Sequence, residues 1–361
     1  MRLSEVGSSS RENNLNLIRL IAATSVAFAH SFALLNGETS MLWGGLVDSG
    51  MFGFVAVAVF FGLSGFLITQ SFERRKSWFQ YLEARWLRIF PGLFFSCLFT
   101  TILVSQFVTH QGWEAFLDIR NWRQSFGAFF FDYNYLDGVF DTNPTHGVNG
   151  SLWTLPIEFR MYIFVLVFGL LGLVARRYLF LAFSLLMLIC GILQFELVTE
   201  HVWPVLFRIR NYSFSYYSLP FCFIMGMLFY LFREKIRLSF LVATALLVLS
   251  YFFNHWAMIC VAFVYASFTF GYHPRAYLRR LNFKADLSYG IYVLAFPIQQ
   301  TLIFNGFPNN AYLFFLVTIA CTVPAALISW YGFEKPGLAL KGRFRRSSTN
   351  PPANAASPQT T

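Results

Sequence analysis

Runs of about 20 apolar residues, the length needed to cross the hydrocarbon core of a bilayer, follow one another along most of the chain. They fall at 15–35, 50–72, 87–108, 152–175, 178–197, 214–232, 237–253, 255–271, 286–304 and 311–332, with only the Asn254-His255 turn dividing the 237–271 pair. No other feature of the sequence limits the fold as strongly. Only 12% of the residues are charged and 57% are hydrophobic, about half the charged share of an ordinary soluble domain. The 46 phenylalanines are more than such a domain can hide from water. The expected fold is all-α: a polytopic membrane protein with about ten transmembrane helices.

The basic residues orient this set. With the N-terminus inside, all but five of the 27 Lys and Arg residues fall on the inner side; the exceptions are Arg120, Arg123, Arg160, Arg208 and Arg210. Such a bias marks cytoplasmic loops. It favours an even number of spans with both termini cytoplasmic, because one missed helix would invert every later loop. The same distribution explains the net charge of +10 without nucleic acid, for which no binding motif is present. The organisation that follows is a cytoplasmic segment 1–14, a membrane domain 15–332 and a cytoplasmic tail 333–361. The tail ends in a low-complexity stretch expected to be largely disordered.

Two outside segments stand out. Residues 109–151 are aromatic and include Asp132, Asn134, Asp137, Asp141 and Asn143, and residues 198–213 contain Trp203-Pro204. Loops this long are commonly functional unless disordered, and the aromatic content of the first argues for order. Ala27-Phe28-Ala29 looks like a signal-peptidase site, but the apolar run continues through Leu35, so the segment is expected to be retained. Cys97, Cys190, Cys222, Cys260 and Cys321 lie in apolar runs without metal-ligand spacing and read as small hydrophobes. No metal is expected.

Ionisable residues within spans are costly and point to function. Arg19 and His30 share the first span. Eleven residues separate them, roughly 16 Å along a helix and within about 20° of the same face. Arg19 then lies near the cytoplasmic end and His30 past the midplane. The bland alternatives are that Arg19 snorkels to headgroups and that His30 bonds a neighbouring helix. A second signal, Asn149-Gly150-Ser151-Leu152-Trp153-Thr154-Leu155-Pro156-Ile157-Glu158, enters the fourth span with Pro156 suited to a first turn. It sets Glu158 on the side of His30, where the two offer a base and its partner to a hydroxyl, or Glu158 is simply a carboxylate favoured at a helix N-terminus. The third is Arg85 and Arg88, three residues apart on one helix face. That geometry suits phosphates, or ordinary positive-inside anchoring. Gly62-Leu63-Ser64-Gly65 is not a nucleophile elbow; inside a span its small residues read as helix packing.

Together these segments resemble the acyltransferase 3 family of integral-membrane acyltransferases, over roughly residues 13–340. The resemblance rests on the Arg19 and His30 pair, on Val59–Ile68, on Arg85-x-x-Arg88-Ile89-x-Pro91, on Ser151–Glu158, on Leu287–Tyr292 and on Glu334-Lys335-Pro336. It implies about ten helices in a multi-pass protein of the cytoplasmic (inner) membrane. It also implies transfer of an acyl group, most simply acetyl from acetyl-CoA, to a hydroxyl of a surface saccharide or lipid-linked glycan on the other side. His30 becomes the catalytic base, Arg19 positions the donor, Glu158 occupies the family's acidic position, and Arg85 and Arg88 contact CoA phosphates. Asn149, Ser151 and Trp153 are expected to contact the acceptor. Where many relatives carry a second acid this chain has Phe159 followed by Arg160, and where many carry a His before Phe-Pro it has Ala295. These departures resemble the exopolysaccharide-decorating branch. Direct transfer and an acyl-enzyme route both remain open, and the rival reading is a transporter or flippase for a lipid-linked sugar or small metabolite.

Overall fold

The computed structural model describes residues 2–4, 13–43, 45, 47–75, 77–108, 114, 117–119, 122, 126–127, 139–192, 215–272 and 285–341. Most of the 109–151 segment, including Asp132, Asn134 and Asp137, lies outside them, as do the 198–213 segment and the tail after Arg346.

Helices occupy each of the ten positions expected from the apolar runs. They are α1 (Leu15–Asn36), α2 (Ser49–Arg74), α3 (Trp78–Phe107), α4 (Thr154–Leu170), α5 (Arg177–Ile192), α6 (Ser215–Leu231), α7 (Phe240–Phe253), α8 (Trp256–Gly271), α9 (Ser288–Phe304) and α10 (Ala311–Ser329). The stretches Leu15–Asn36, Ser49–Arg74, Trp78–Phe107, Gly150–Leu170 and Ala311–Ala339 are long and apolar enough to cross a membrane; α5 to α8 are shorter apolar helices. Among the described residues strand is confined to a two-residue hairpin, Met41–Leu42 against Val47–Asp48.

The ends of the helices follow local chemistry. α1 stops at Gly37, whose left-handed backbone (φ 78°) closes the helix. Asp48 caps α2 by accepting from Gly50 N–H. α3 starts at Trp78 behind Ser77, whose hydroxyl accepts from Phe79 N–H, nine residues before the apolar run begins. Arg85 and Arg88 therefore stand in the third and fourth turns of a 30-residue helix rather than at its entrance. Past α10 the chain tightens into a π turn, Trp330–Glu334, and continues as the short α11 (Lys335–Ala339).

α2 is the central helix, packed on α1, α6 and α8. Its contact with α6 is backbone on backbone. A Cβ at Gly65 would overlap the Phe223 carbonyl, and one at Gly226 the Gly62 carbonyl. The Gly-Leu-Ser-Gly stretch is thus a close helix crossing, as small residues allow in membranes. Since the obstructing atoms are main chain, the helices must separate to admit a side chain. Gly226→Val is therefore expected to destabilise by about 1–3 kcal/mol or more. Thermal melting in detergent, with the amount of protein in the membrane, checks this; wild-type behaviour would contradict the packing described.

Candidate active site

Two adjoining cavities are lined by Arg19, Arg88 and Glu158 on one side and by His30 on the other. The inner one is narrow, about 60 Å³, and lies among α1, α2, α3, α4 and α9. Arg19 of α1, Arg88 of α3 and Glu158 of α4 line it. Asp286, just before α9, joins the two arginines: its Oδ2 accepts from Arg88 at 2.6 Å and from Arg19 at 3.4 Å. Its Oδ1 accepts from Ser288 Oγ at 2.6 Å, and a helix N-terminus favours a carboxylate there. Glu158 accepts from Ser64 Oγ at 3.2 Å and from the Tyr162 hydroxyl. Two guanidiniums thus face two carboxylates. Charges this far from water persist when paired and hydrogen-bonded.

The outer cavity, about 250 Å³, is lined by His30, Ser151 and Trp153 with residues of α1 and α2. Val57 and Tyr292 line both cavities and form the wall between them. At that wall the Tyr292 and Thr154 hydroxyls lie 2.6 Å apart. His30 packs edge-on against Phe296, ring centroids 5.1 Å apart, and its Nδ1 is buried without a hydrogen-bond partner. Ser151 Oγ is buried and unpartnered as well. Such a pair of polar atoms beside a cavity suits a hydroxylic ligand better than a finished core, where buried polar groups are satisfied.

The turn of α1 that carries His30 is held by α9. Gln299 Nε2 donates to the Ala27 carbonyl at 3.0 Å and to Ser31 Oγ at 2.9 Å. Asn149 is engaged in the scaffold: its Nδ2 donates to the Val293 carbonyl at 2.8 Å, and its Oδ1 accepts from Ser151 N–H. It thereby pins the 3-10 turn Gly150–Trp153 that presents Ser151 and Trp153 to the cavity. Gly150 meets the Phe296 ring, which a Cβ would approach to 2.6 Å. In the described part of the 109–151 segment, Asn143 donates to the carbonyl and side-chain oxygens of Gln300, both at 3.0 Å.

The structure groups the residues differently from their order in sequence. Arg19 and Glu158 meet in the inner cavity, while His30 lies in the outer one with Ser151 and Trp153. Glu158 and Thr154 share a helix face one turn apart, and the Thr154–Tyr292 wall stands between Glu158 and His30. Arg85 and Arg88 share a face yet reach different partners. Arg88 enters the inner cavity, whereas Arg85 donates to Ser71 Oγ at 3.3 Å and lies over the Tyr81 and Tyr162 rings.

Asp286, Ser64, Thr154, Tyr162 and Tyr292 complete the site beyond the expected residues. A signal for Asp286 was present: a lone acid at the head of an apolar run requires a partner. Which arginines would serve depended on tertiary packing. Glu334 is buried; its Oε1 accepts from Ser329 Oγ at 2.8 Å, and its charge acts on Arg88.

Comparison with known proteins identifies the family of the chain. An acyltransferase-domain family model, acyltransferase 3, matches residues 12–332. A protein named O-acetyl transferase from Shigella phage Sf6 is 28% identical over 334 residues, covering 90% of this chain and 96% of that one. Nodulation protein 10 of Rhizobium leguminosarum bv. viciae is 28% identical over 373 residues, covering 92% and 95% respectively. No solved structure is significantly similar. The chain belongs to the acyltransferase 3 family and is a multi-pass membrane acyltransferase.

Proposed function

We propose that the protein transfers an acyl group, acetyl in the first instance, from cytoplasmic acyl-CoA to a hydroxyl of a saccharide at the opposite face of the inner membrane. Ten spans with both termini inside give that division its sides. The observation that carries the reading is the shared wall: Val57 and Tyr292 separate a cavity holding Arg19, Arg88 and Glu158 from one holding His30. Donor and acceptor approached from opposite faces meet there. The name of the phage relative, an O-acetyl transferase, supports acetyl transfer to oxygen.

The inner cavity has matched charges and little room, which suits the neutral arm of CoA rather than its phosphates. The phosphates fit the basic residues nearer the inner end of α3. Arg75 Nε and Arg85 Nη2 converge on Ser71 Oγ at 3.1 and 3.3 Å, and no ion pair with a described carboxylate engages either. Lys341, beyond α11, is exposed, and desolvation of its amine with the field of Arg85, Arg88 and Arg75 lowers its pKa below the usual lysine range.

In the reaction, His30 takes the proton of the acceptor hydroxyl. The oxygen attacks the thioester carbonyl, the C–O bond forms as the C–S bond breaks, and the proton passes from the imidazolium to the thiolate. An ester and free CoA result. The Tyr292 and Thr154 hydroxyls supply hydrogen-bonding groups where oxyanion charge develops. Attack across one wall supports direct transfer.

Acetyl-CoA at a hundredfold excess over Kd is expected to stabilise the purified protein by about 2.7 kcal/mol, read as a thermal shift. Arg85→Ala should weaken binding by about 1.5–3 kcal/mol. The absence of any shift with saturating acetyl-CoA would overturn the donor assignment.

A further inference from the structure

The inner cavity changes character along its length. α2 lines it with Val57, Phe60, Phe61 and Ser64, spaced as one face of a helix and reaching roughly 10 Å from first to last. Ser64, Glu158, Tyr162 and Ser288, with Arg19 and Arg88, make its inner end polar. The outer end, at the wall shared with the His30 chamber, is hydrocarbon apart from one hydroxyl pair. Val57, Phe60, Phe61 and Leu155 line it together with Thr154 and Tyr292. A thioester whose carbonyl meets the two hydroxyls therefore turns its alkyl group toward those four apolar side chains.

The space beside them is small. An apolar cavity of about 150 Å³ holds benzene, so one of about 60 Å³ has room for roughly two or three carbon-sized atoms, the size of an acetyl group. Three of the four side chains belong to the close-packed core: Val57, Phe61 and Leu155 are 8%, 3% and 4% exposed. Phe60 differs in being only partly buried against that core. Its ring meets that of Tyr292 edge-on, centroids 5.9 Å apart and planes at 64°. Phe60 thus stands beside the reacting wall and is the bulky lining side chain least committed to the fold.

We propose that Phe60 sets the length of the acyl group, its ring closing the outer end of the inner cavity to chains longer than acetyl. This rests on the acyl-transfer reading above and assigns the choice of donor to one residue. A packed site resists even one added methylene, and butyryl adds two to acetyl. Truncation of Phe60 removes a whole ring at the place where those methylenes would lie.

Inside-out vesicles of native membrane expose the cytoplasmic face to added donor and retain the natural acceptor. Initial rates of label incorporation from radiolabelled acetyl-, propionyl- and butyryl-CoA test the assignment, with vesicles of a deletion strain as the blank. The wild type is expected to favour acetyl over butyryl by at least about 100-fold in kcat/KM, since one methylene alone is worth about 10–200-fold in a fitted pocket. Phe60→Leu should admit propionyl, and Phe60→Ala should bring butyryl within about tenfold of acetyl. A ring that only supported the fold would slow all three donors alike when truncated. An unchanged donor ratio in a Phe60→Leu or Phe60→Ala protein that still transfers acetyl therefore overturns the assignment. So does a wild type that uses butyryl as readily as acetyl, whether or not either variant accumulates. No label above the blank from any donor would overturn the acyl-transfer reading itself.

Discussion

His30→Ala is expected to abolish acyl transfer while the protein still accumulates in the membrane and still shows its thermal shift with acetyl-CoA. A positioned base contributes roughly 10²–10⁴-fold to a proton-transfer step, and no other histidine lines either chamber. The side chain has few structural duties. Its Nδ1 lacks a partner, and its ring contact is the edge-on packing against Phe296. The helix turn beneath it is fixed by Gln299 through main-chain and Ser31 oxygens that the substitution leaves in place. Truncation should therefore lower stability by only about 1 kcal/mol, the ordinary effect of a point change. Activity within tenfold of wild type would remove His30 from the chemistry.

Asp286→Ala is expected to produce the largest loss of stability. The carboxylate is shared by Arg19 and Arg88, and the side chains of Asp286 and Arg19 are 11% and 19% exposed. Without it two guanidiniums face one another in a narrow cavity, with Ser288 left unpaired. Removing one partner of a buried ion pair costs about 3–5 kcal/mol, a large part of the ~5–15 kcal/mol that holds a typical domain folded. Asp286→Asn should fail nearly as badly, because it keeps a hydrogen-bonding shape but supplies no charge. The yield of folded protein in detergent and its melting temperature report the effect. An Asp286→Ala protein that accumulates and melts like the wild type would show that the arginines find their counter-charge elsewhere.

The helix positions were legible because each apolar run had to be about one bilayer long, and boundaries moved where capping chemistry overrode hydropathy. α3 begins at Ser77-Trp78 because a serine hydroxyl caps it, although the apolar stretch starts nine residues later. Arg19, His30 and Glu158 were visible as ionisable residues out of place in apolar segments. Their grouping was not. Spacing along α1 relates Arg19 to His30, but it says nothing about which other helix approaches each of them. The Thr154–Tyr292 contact, 138 residues apart in sequence, decides that Glu158 joins Arg19 rather than His30. Arg85 and Arg88 looked equivalent on one helix face, and only the approach of Asp286 on one side and Ser71 on the other separates them. Gly62 and Gly65 read as packing residues, and the α2–α6 crossing gives that reading its geometry.

The central claim is acyl transfer to a saccharide hydroxyl by way of His30. Mass spectrometry of the surface glycans of a deletion strain, complemented with the wild-type chain or with His30→Ala, tests it most directly. A sugar that carries an acetyl group in the parent and the wild-type complement, and lacks it in the deletion and in the His30→Ala strain, is the expected result. Identical glycans in all four would contradict it.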